Sequence, residues 1–235
     1  MTHAAVLFDK DGTLLDDVPY NVDPALMRFA PGAAEALAIL AAHGFRLFVI
    51  SNQSGVALGR FPYEALAGME AHLAHMFEAC GVTLEGAYWC PHHPDGVVAR
   101  YACRCACRKP EPGLLLQAAH EHAIDLSNSW FIGDILDDIE AGTRAGCRTV
   151  LIDNGHETLW EPGPARIPTL REPDLWRAAL AIIREHDPMV RPPQADDFQD
   201  DPISTAGPAP EARGGSTGAP AGNPSGGCAN KGGVR

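Results

Sequence analysis

The chain is short of lysine, of aromatic residues and of long apolar runs. Only three lysines stand beside 15 arginines in its 235 residues. No stretch of about 18 apolar residues exists, so no membrane-spanning helix is expected. Positive charge is in deficit, and the formal net charge is -12. An acidic chain gets no electrostatic help on DNA, RNA or an anionic membrane, so those partners are disfavoured. The opening MTHAAVLFDKDG lacks a basic region followed by an apolar one, so no signal peptide is expected. Seven cysteines make an odd number. Their clustering without an export signal speaks against a disulfide framework and for a reduced, cytoplasmic compartment. No internal repeat is present.

The composition changes from Arg191 onward. Sixteen of the last 45 residues are Gly or Pro, and Phe198 is their only aromatic residue. Such a segment cannot bury enough apolar surface to offset its ordering entropy. Residues 190–235 are therefore expected to be a disordered tail, with Cys228 an exposed thiol, and residues 1–189 one domain.

Two periods alternate along that domain. AAVLF (4–8) reads as a buried strand. PGAAEALAILAAHG (31–44) starts on Pro and stops on Gly, as a helix does. The spacing then predicts strand 45–50, helix 63–80, a short strand 87–89 and helix 112–123. Strand 129–133, helix 135–146, strand 148–153 and helix 173–186 follow. This alternation implies an α/β fold with a doubly wound, mostly parallel sheet covered on both faces. Ligands of such sheets sit outside the carboxyl ends of the strands.

Polar clusters stand at those ends. Strand 4–8 runs into DKDGT, strand 45–50 into SNQSG and strand 129–133 into GDILDD. Each has a plain alternative, as a turn pair or a helix cap. Their recurrence at one edge outweighs it. Lys109, one of so few lysines, lies just before helix 112–123. Carboxylates, a hydroxyl and a lysine at one edge are the parts of phosphoryl transfer. One carboxylate attacks phosphorus, and a second carboxyl serves as acid and then base. A cation held by carboxylate oxygens and a lysine offset the phosphate charge.

A second cluster lies in WCPHHPDGVVARYACRCACRKPEP (89–112), which holds four of the seven cysteines. Cys90-x-His92 and Cys105-x-Cys107 offer two ligand pairs for a tetrahedral zinc. Spacing alone equally allows Cys103 in place of Cys105, and His93 in place of His92. Free cysteines are commonly buried as small hydrophobes. That suits Cys80 and Cys147 but not these, whose neighbours are polar. A loop of this length needs a staple, and zinc supplies one.

The DKDGT, VISNQSG, RKP and GDILDD segments, in that order over residues 4–155, resemble the four motifs of the haloacid dehalogenase superfamily. The resemblance implies Asp9 as nucleophile and Asp11 as general acid and base. It implies Mg²⁺ held by the side chains of Asp9 and Asp134 and the main chain of Asp11, with Asp138 in support. Ser51 and Lys109 would hold the phosphate. CPHHP…CxCRKP further resembles the D-glycero-D-manno-heptose 1,7-bisphosphate 7-phosphatases, and this implies structural zinc on Cys90, His92, Cys105 and Cys107, with Cys103 a spare thiol. Carried over by position, Asp17, Val18, Pro19, Tyr20, Ser51, Asn52, Gln53, Ser54, Arg108 and Lys109 would line a sugar bisphosphate site. Asn52 and Gln53 are expected at sugar hydroxyls.

The related histidinol-phosphate phosphatases carry the same zinc loop, so they and a broader sugar-phosphate phosphatase are the alternatives. A zinc-stapled scaffold without catalysis is a third, against which Asp9 and Asp11 both stand. Three departures are visible: Ile135 where lysine is common, Lys10 for arginine and Ser51 for threonine. No large insertion follows the first two motifs, so no separate cap domain is expected, and a monomer fits the size.

Overall fold

The computed structural model describes residues 3–186. The expected tail, with Cys228, lies outside the described residues. Six strands form one sheet: β1 (Ala5–Phe8), β2 (Arg46–Asn52), β3 (Leu84–Cys90), β4 (Trp130–Gly133), β5 (Arg148–Ile152) and β6 (Leu170–Glu172). Their order across the sheet is β3-β2-β1-β4-β5-β6, and every pairing is parallel. The helices are α1 (Ala33–Ala42), α2 (Ala65–Ala79), α3 (Gly113–His122), α4 (Leu136–Ala145) and α5 (Leu175–His186).

The central strands are apolar on both faces because both are covered. On one side Val6, Phe8, Leu47, Val49, Trp130 and Ile132 pack under α1, α2 and α5. On the other, Ala5, Leu7, Phe48, Ile50 and Phe131 meet Leu114, Leu115 and Ala118 of α3 and Ala141 and Ala145 of α4. Phe8, Phe48, Trp130 and Phe131 are wholly buried. Each such side chain contributes roughly 1.5–3 kcal/mol relative to exposure.

Two strands depart from expectation. β3 begins at Leu84, three residues before the predicted start. Glu85 is an extra residue there: Leu47 pairs with Leu84 and Phe48 with Gly86. The bulge breaks the alternation on which a strand is recognised. β6 was not expected, because LRE is three residues with no buried side chain. It adds to the edge of β5. No separate cap domain is found among the described residues, and no described helix is long and apolar enough to cross a membrane.

This strand order reverses direction between β1 and β4, which pair as neighbours. The crevice at such a reversal is where open α/β sheets hold ligands. Asp9 follows β1 and Asp134 follows β4, so both stand at that crevice.

Candidate active site and thiol cluster

Four strand ends build the site. The turn after β1 is tight: Leu15 N–H donates to Lys10 O at 2.8 Å and Gly12 N–H to Leu15 O at 2.9 Å. Gly12 has φ 79°. A side chain there would also strike Asp134 Oδ2 at 2.3 Å. Only glycine lets this turn close against Asp134.

Asp9, Asp134 and Asp138 are buried, and their oxygens lie within 4.8 Å of one another. Asp138 comes from the first turn of α4, where its Oδ2 accepts from Ile135 N–H at 3.3 Å. Lys109 faces this group. Its Nζ is 2.5 Å from Asp9 Oδ1 and 2.6 Å from Asp138 Oδ1, and it donates to Ile50 O at 3.2 Å. Burial alone would lower the Lys109 pKa, but the charges of Asp138 and Asp9 reverse that and raise it. Burial pushes Asp138 up to about 8. Burial and the charge of Asp9 push Asp134 up to about 6. Three ionised carboxylates need more positive charge than one lysine supplies. A hard divalent cation with oxygen ligands fits this set.

Asp11 stands beside the cluster but not in it. Its Oδ1 is 2.5 Å from Lys10 Nζ, and its Oδ2 accepts from Gln53 Nε2 at 3.1 Å. Burial raises its pKa, which favours the protonated form. Lys10 is wholly buried and also reaches Asn21 O at 3.5 Å. Gln53 Nε2 donates to Ser51 Oγ as well, at 3.1 Å. Asn52 is committed elsewhere. Its Oδ1 accepts from Lys109 N–H at 3.0 Å and its Nδ2 donates to Lys109 O at 3.2 Å. Both amides expected at sugar hydroxyls are thus engaged with residues around Asp9, Asn52 at both of its groups.

Asp17, Pro19 and Tyr20 are exposed, Val18 and Ser54 partly so. Tyr20 holds φ 57°, uncommon for an aromatic residue, and its ring lies under the Arg60 guanidinium at 5.6 Å. Arg108 Nη1 donates to His92 O at 3.4 Å, toward the thiol loop rather than toward Asp9.

Sequence reasoning missed the loop after β5. His156 Nδ1 lies 2.8 Å from Asp134 Oδ2, whose Oδ1 accepts from Thr13 Oγ1 at 3.2 Å. Asn154 Nδ2 donates to Gly12 O at 2.7 Å, and Glu157 Oε2 accepts from Leu136 N–H at 2.7 Å. The signal was available: DNGHE follows a strand, as the other polar clusters do.

The thiol cluster holds Cys90, His92, Cys105 and Cys107. Its S···S separations are 3.2 Å for Cys107 to Cys90 and to Cys105, and 3.6 Å for Cys90 to Cys105. His92 Nδ1 is 3.3 Å from Cys107 Sγ and 3.7 Å from Cys90 Sγ. Zn–S bonds of about 2.3 Å in a tetrahedron imply edges of roughly 3.8 Å, close to these. Hydrogen bonding to Cys105 and Cys107 favours the protonated Cys90 thiol, while bonds with Cys107 and Cys90 lower Cys105 to about 2. Three thiolates cannot ionise together without a cation, so the donor set fits zinc. His93 and Cys103 stand outside the group. Cys103, expected as a spare thiol, has an interaction partner of its own. Gln53 N–H donates to Cys90 O at 2.8 Å and ties this loop to the end of β2.

Comparison with known proteins gives the family of the chain. The HAD-hydrolase-like family model matches residues 106–178. D-glycero-beta-D-manno-heptose-1,7-bisphosphate 7-phosphatase of Yersinia pestis is 40% identical over 152 residues, 64% of this chain and 81% of that one. Its counterpart in Vibrio cholerae is 35% identical over 165 residues, 70% of this chain and 89% of that one. The chain belongs to this phosphatase family. In structure it is similar to D,D-heptose 1,7-bisphosphate phosphatase of B. bronchiseptica, complexed with magnesium and phosphate. That likeness has TM-score 0.66 and 29% identity over 77% of this chain and 99% of that one.

Proposed function

We propose that the chain hydrolyses phosphomonoesters through an aspartyl-phosphate and removes the 7-phosphate of D-glycero-D-manno-heptose 1,7-bisphosphate. The observation that carries the reading is Lys109 Nζ set between Asp9 and Asp138, at 2.5 and 2.6 Å, beside Asp134. The relatives of that name support the substrate.

An Asp9 carboxylate oxygen attacks phosphorus, and the bond from phosphorus to the sugar oxygen breaks. Asp11, favoured in its protonated form by burial, gives that oxygen its proton. Asp11 then takes a proton from water, whose oxygen attacks phosphorus. The bond to Asp9 breaks and inorganic phosphate leaves. Ser51 and Lys109 donate to the phosphate oxygens, and Lys109 also balances the charge of Asp9. Gln53 orients Asp11, and Asn52 orients Lys109. Asp9, Asp134 and the main chain of Asp11 would hold Mg²⁺, which supplies positive charge to the transferring phosphoryl group. Asp138 supports that site. Cys90, His92, Cys105 and Cys107 would hold a structural zinc. Arg108, adjoining Lys109, is suited to the second phosphate, with Asp17–Tyr20 and Ser54 at the sugar.

The test is kcat/KM with Mg²⁺ for the heptose bisphosphate beside histidinol phosphate, with Asp9→Asn as control. A preference for the heptose of several hundredfold supports the reading. A preference for histidinol phosphate overturns the substrate and keeps the chemistry. Turnover that survives in Asp9→Asn overturns the nucleophile.

A further inference from the structure

The loop Asp153–Glu157 has no part in the motifs above, yet it makes three side-chain contacts with the edge that carries the carboxylates. Its foot is anchored: Asp153 N–H donates to Glu172 O at 2.8 Å, and Arg171 pairs with Asp153 at 2.8 Å. Gly155, at φ 91°, turns it back over the sheet end. From there Asn154 holds the carbonyl of Gly12, in the turn after β1. His156 holds Asp134, at the end of β4. Glu157 accepts from Leu136 N–H, in the first turn of α4. Three residues in a row of four thus clasp the two strand ends that carry Asp9 and Asp134.

The contact at Asp134 completes a pattern. Thr13 donates to one oxygen and His156 lies against the other, at 3.2 and 2.8 Å. A carboxylate held at both oxygens cannot rotate, so its remaining lone pairs keep one direction. Gly12 makes room for this: a side chain there would meet His156 Nδ1 at 2.6 Å. His156 is itself half exposed, with a side chain 39% accessible, while Asp134 is buried at 7%. Its packing is therefore slight, and what it touches is the carboxylate.

We propose that His156 is a positioning residue for Asp134, fixing that carboxylate so that it presents an oxygen to the divalent cation, with Asn154 fixing the facing turn. This rests on the reading of Asp9 and Asp134 as cation ligands. Groups that orient a metal-ligating side chain typically change metal affinity by 10–100-fold when removed.

The experiment measures Mg²⁺ binding to the full chain by calorimetry, without substrate, for the wild type, His156→Ala, His156→Asn and Asn154→Ala. Asn places an amide nitrogen near where Nδ1 lies. His156→Ala is expected to weaken Mg²⁺ at least about tenfold. His156→Asn should recover most of that, and Asn154→Ala should weaken binding to a smaller degree. At saturating Mg²⁺, His156→Ala should regain kcat to within a few-fold, with an unshifted substrate KM. Unchanged Mg²⁺ affinity in His156→Ala overturns the proposal. So does a raised substrate KM with normal Mg²⁺ binding, which would make His156 a substrate contact. Failure of Asn to restore affinity overturns the role of the hydrogen bond. Asp134→Asn separates the two levels: if it too binds Mg²⁺ as the wild type does, the cation site itself is misassigned.

Discussion

Asn52 grips the main chain of Lys109 on both sides, its Oδ1 3.0 Å from the Lys109 N–H and its Nδ2 3.2 Å from the Lys109 carbonyl. The end of β2 thereby fixes where the loop from β3 delivers its lysine. Two hydrogen bonds of this kind contribute about 1 kcal/mol each. Asn52→Ala should lower stability by about 1–3 kcal/mol. It should also lower kcat on the order of 10²-fold, since small misplacements of a catalytic group cost that much. Sugar KM should change little. A variant with raised KM and normal kcat would return Asn52 to the sugar, where the sequence had suggested it.

Gly133 closes β4 directly against Asp138. A side chain added there would meet Asp138 Cβ at 2.2 Å. Neither can move freely, because Asp138 is wholly buried against Lys109. Gly133→Ala should destabilise by at least about 2 kcal/mol, in the upper part of the range for overpacking. Gly68 in α2 has open space around it, so Gly68→Ala should stabilise by about 0.5–1 kcal/mol. Urea denaturation of the two variants gives the comparison; equal effects would mean that the crowding at Gly133 is relieved by movement.

What the sequence disclosed, and what it did not, follows from distance along the chain. Strand-ending clusters such as DKDGT and GDILDD announce their carboxylates because the pattern is local. The zinc-type pairs are legible for the same reason, each spanning three residues, but spacing alone left Cys103 and His93 open and the resemblance chose among them. The bonds of Asn52 to Lys109 were not legible because the two are 57 positions apart, and no local pattern records a side chain bonded to a distant backbone. His156 was missed because a single His in a polar loop has no period, and only its place just after a strand marks it. β6 was missed because its pairing with β5 is set by the sheet edge, not by LRE itself.

Cys105→Ala removes one of four donors around a common centre. The remaining three cannot close a tetrahedron, so zinc content should fall from one per chain to near zero by elemental analysis. The loop carries Arg108 and Lys109 at its end, so kcat/KM should fall together with zinc. Cys105 packs only at the margin of one core cluster, so the variant should still fold, with a Tm lower by at least about 5 °C. Cys80→Ala, outside the cluster, should keep its zinc. Retention of zinc in Cys105→Ala would show that another residue completes the site.

The buried carboxylates set the pH response of the metal-free protein. Asp138 is pushed up to about 8 and Asp134 to about 6, each first by burial, from an ordinary value of 3.8. Between the ordinary and the raised value, the folded state keeps a proton that the unfolded chain has lost. Folding therefore binds protons there, and stability must fall as pH rises. For Asp134 the loss runs from about pH 4 to 6, for Asp138 from about pH 4 to 8. Each group contributes at most about 1.4 kcal/mol per pH unit. Lys109 is raised, so its contribution is complete below its ordinary value of 10.5 and does not oppose this trend. Urea titrations in chelator should thus give lower stability at pH 8 than at pH 5. Saturating Mg²⁺ binds the ionised carboxylates and should flatten or reverse that slope. A metal-free protein equally stable at both pH values would mean that these carboxylates are ionised throughout, and that Lys109 alone balances them.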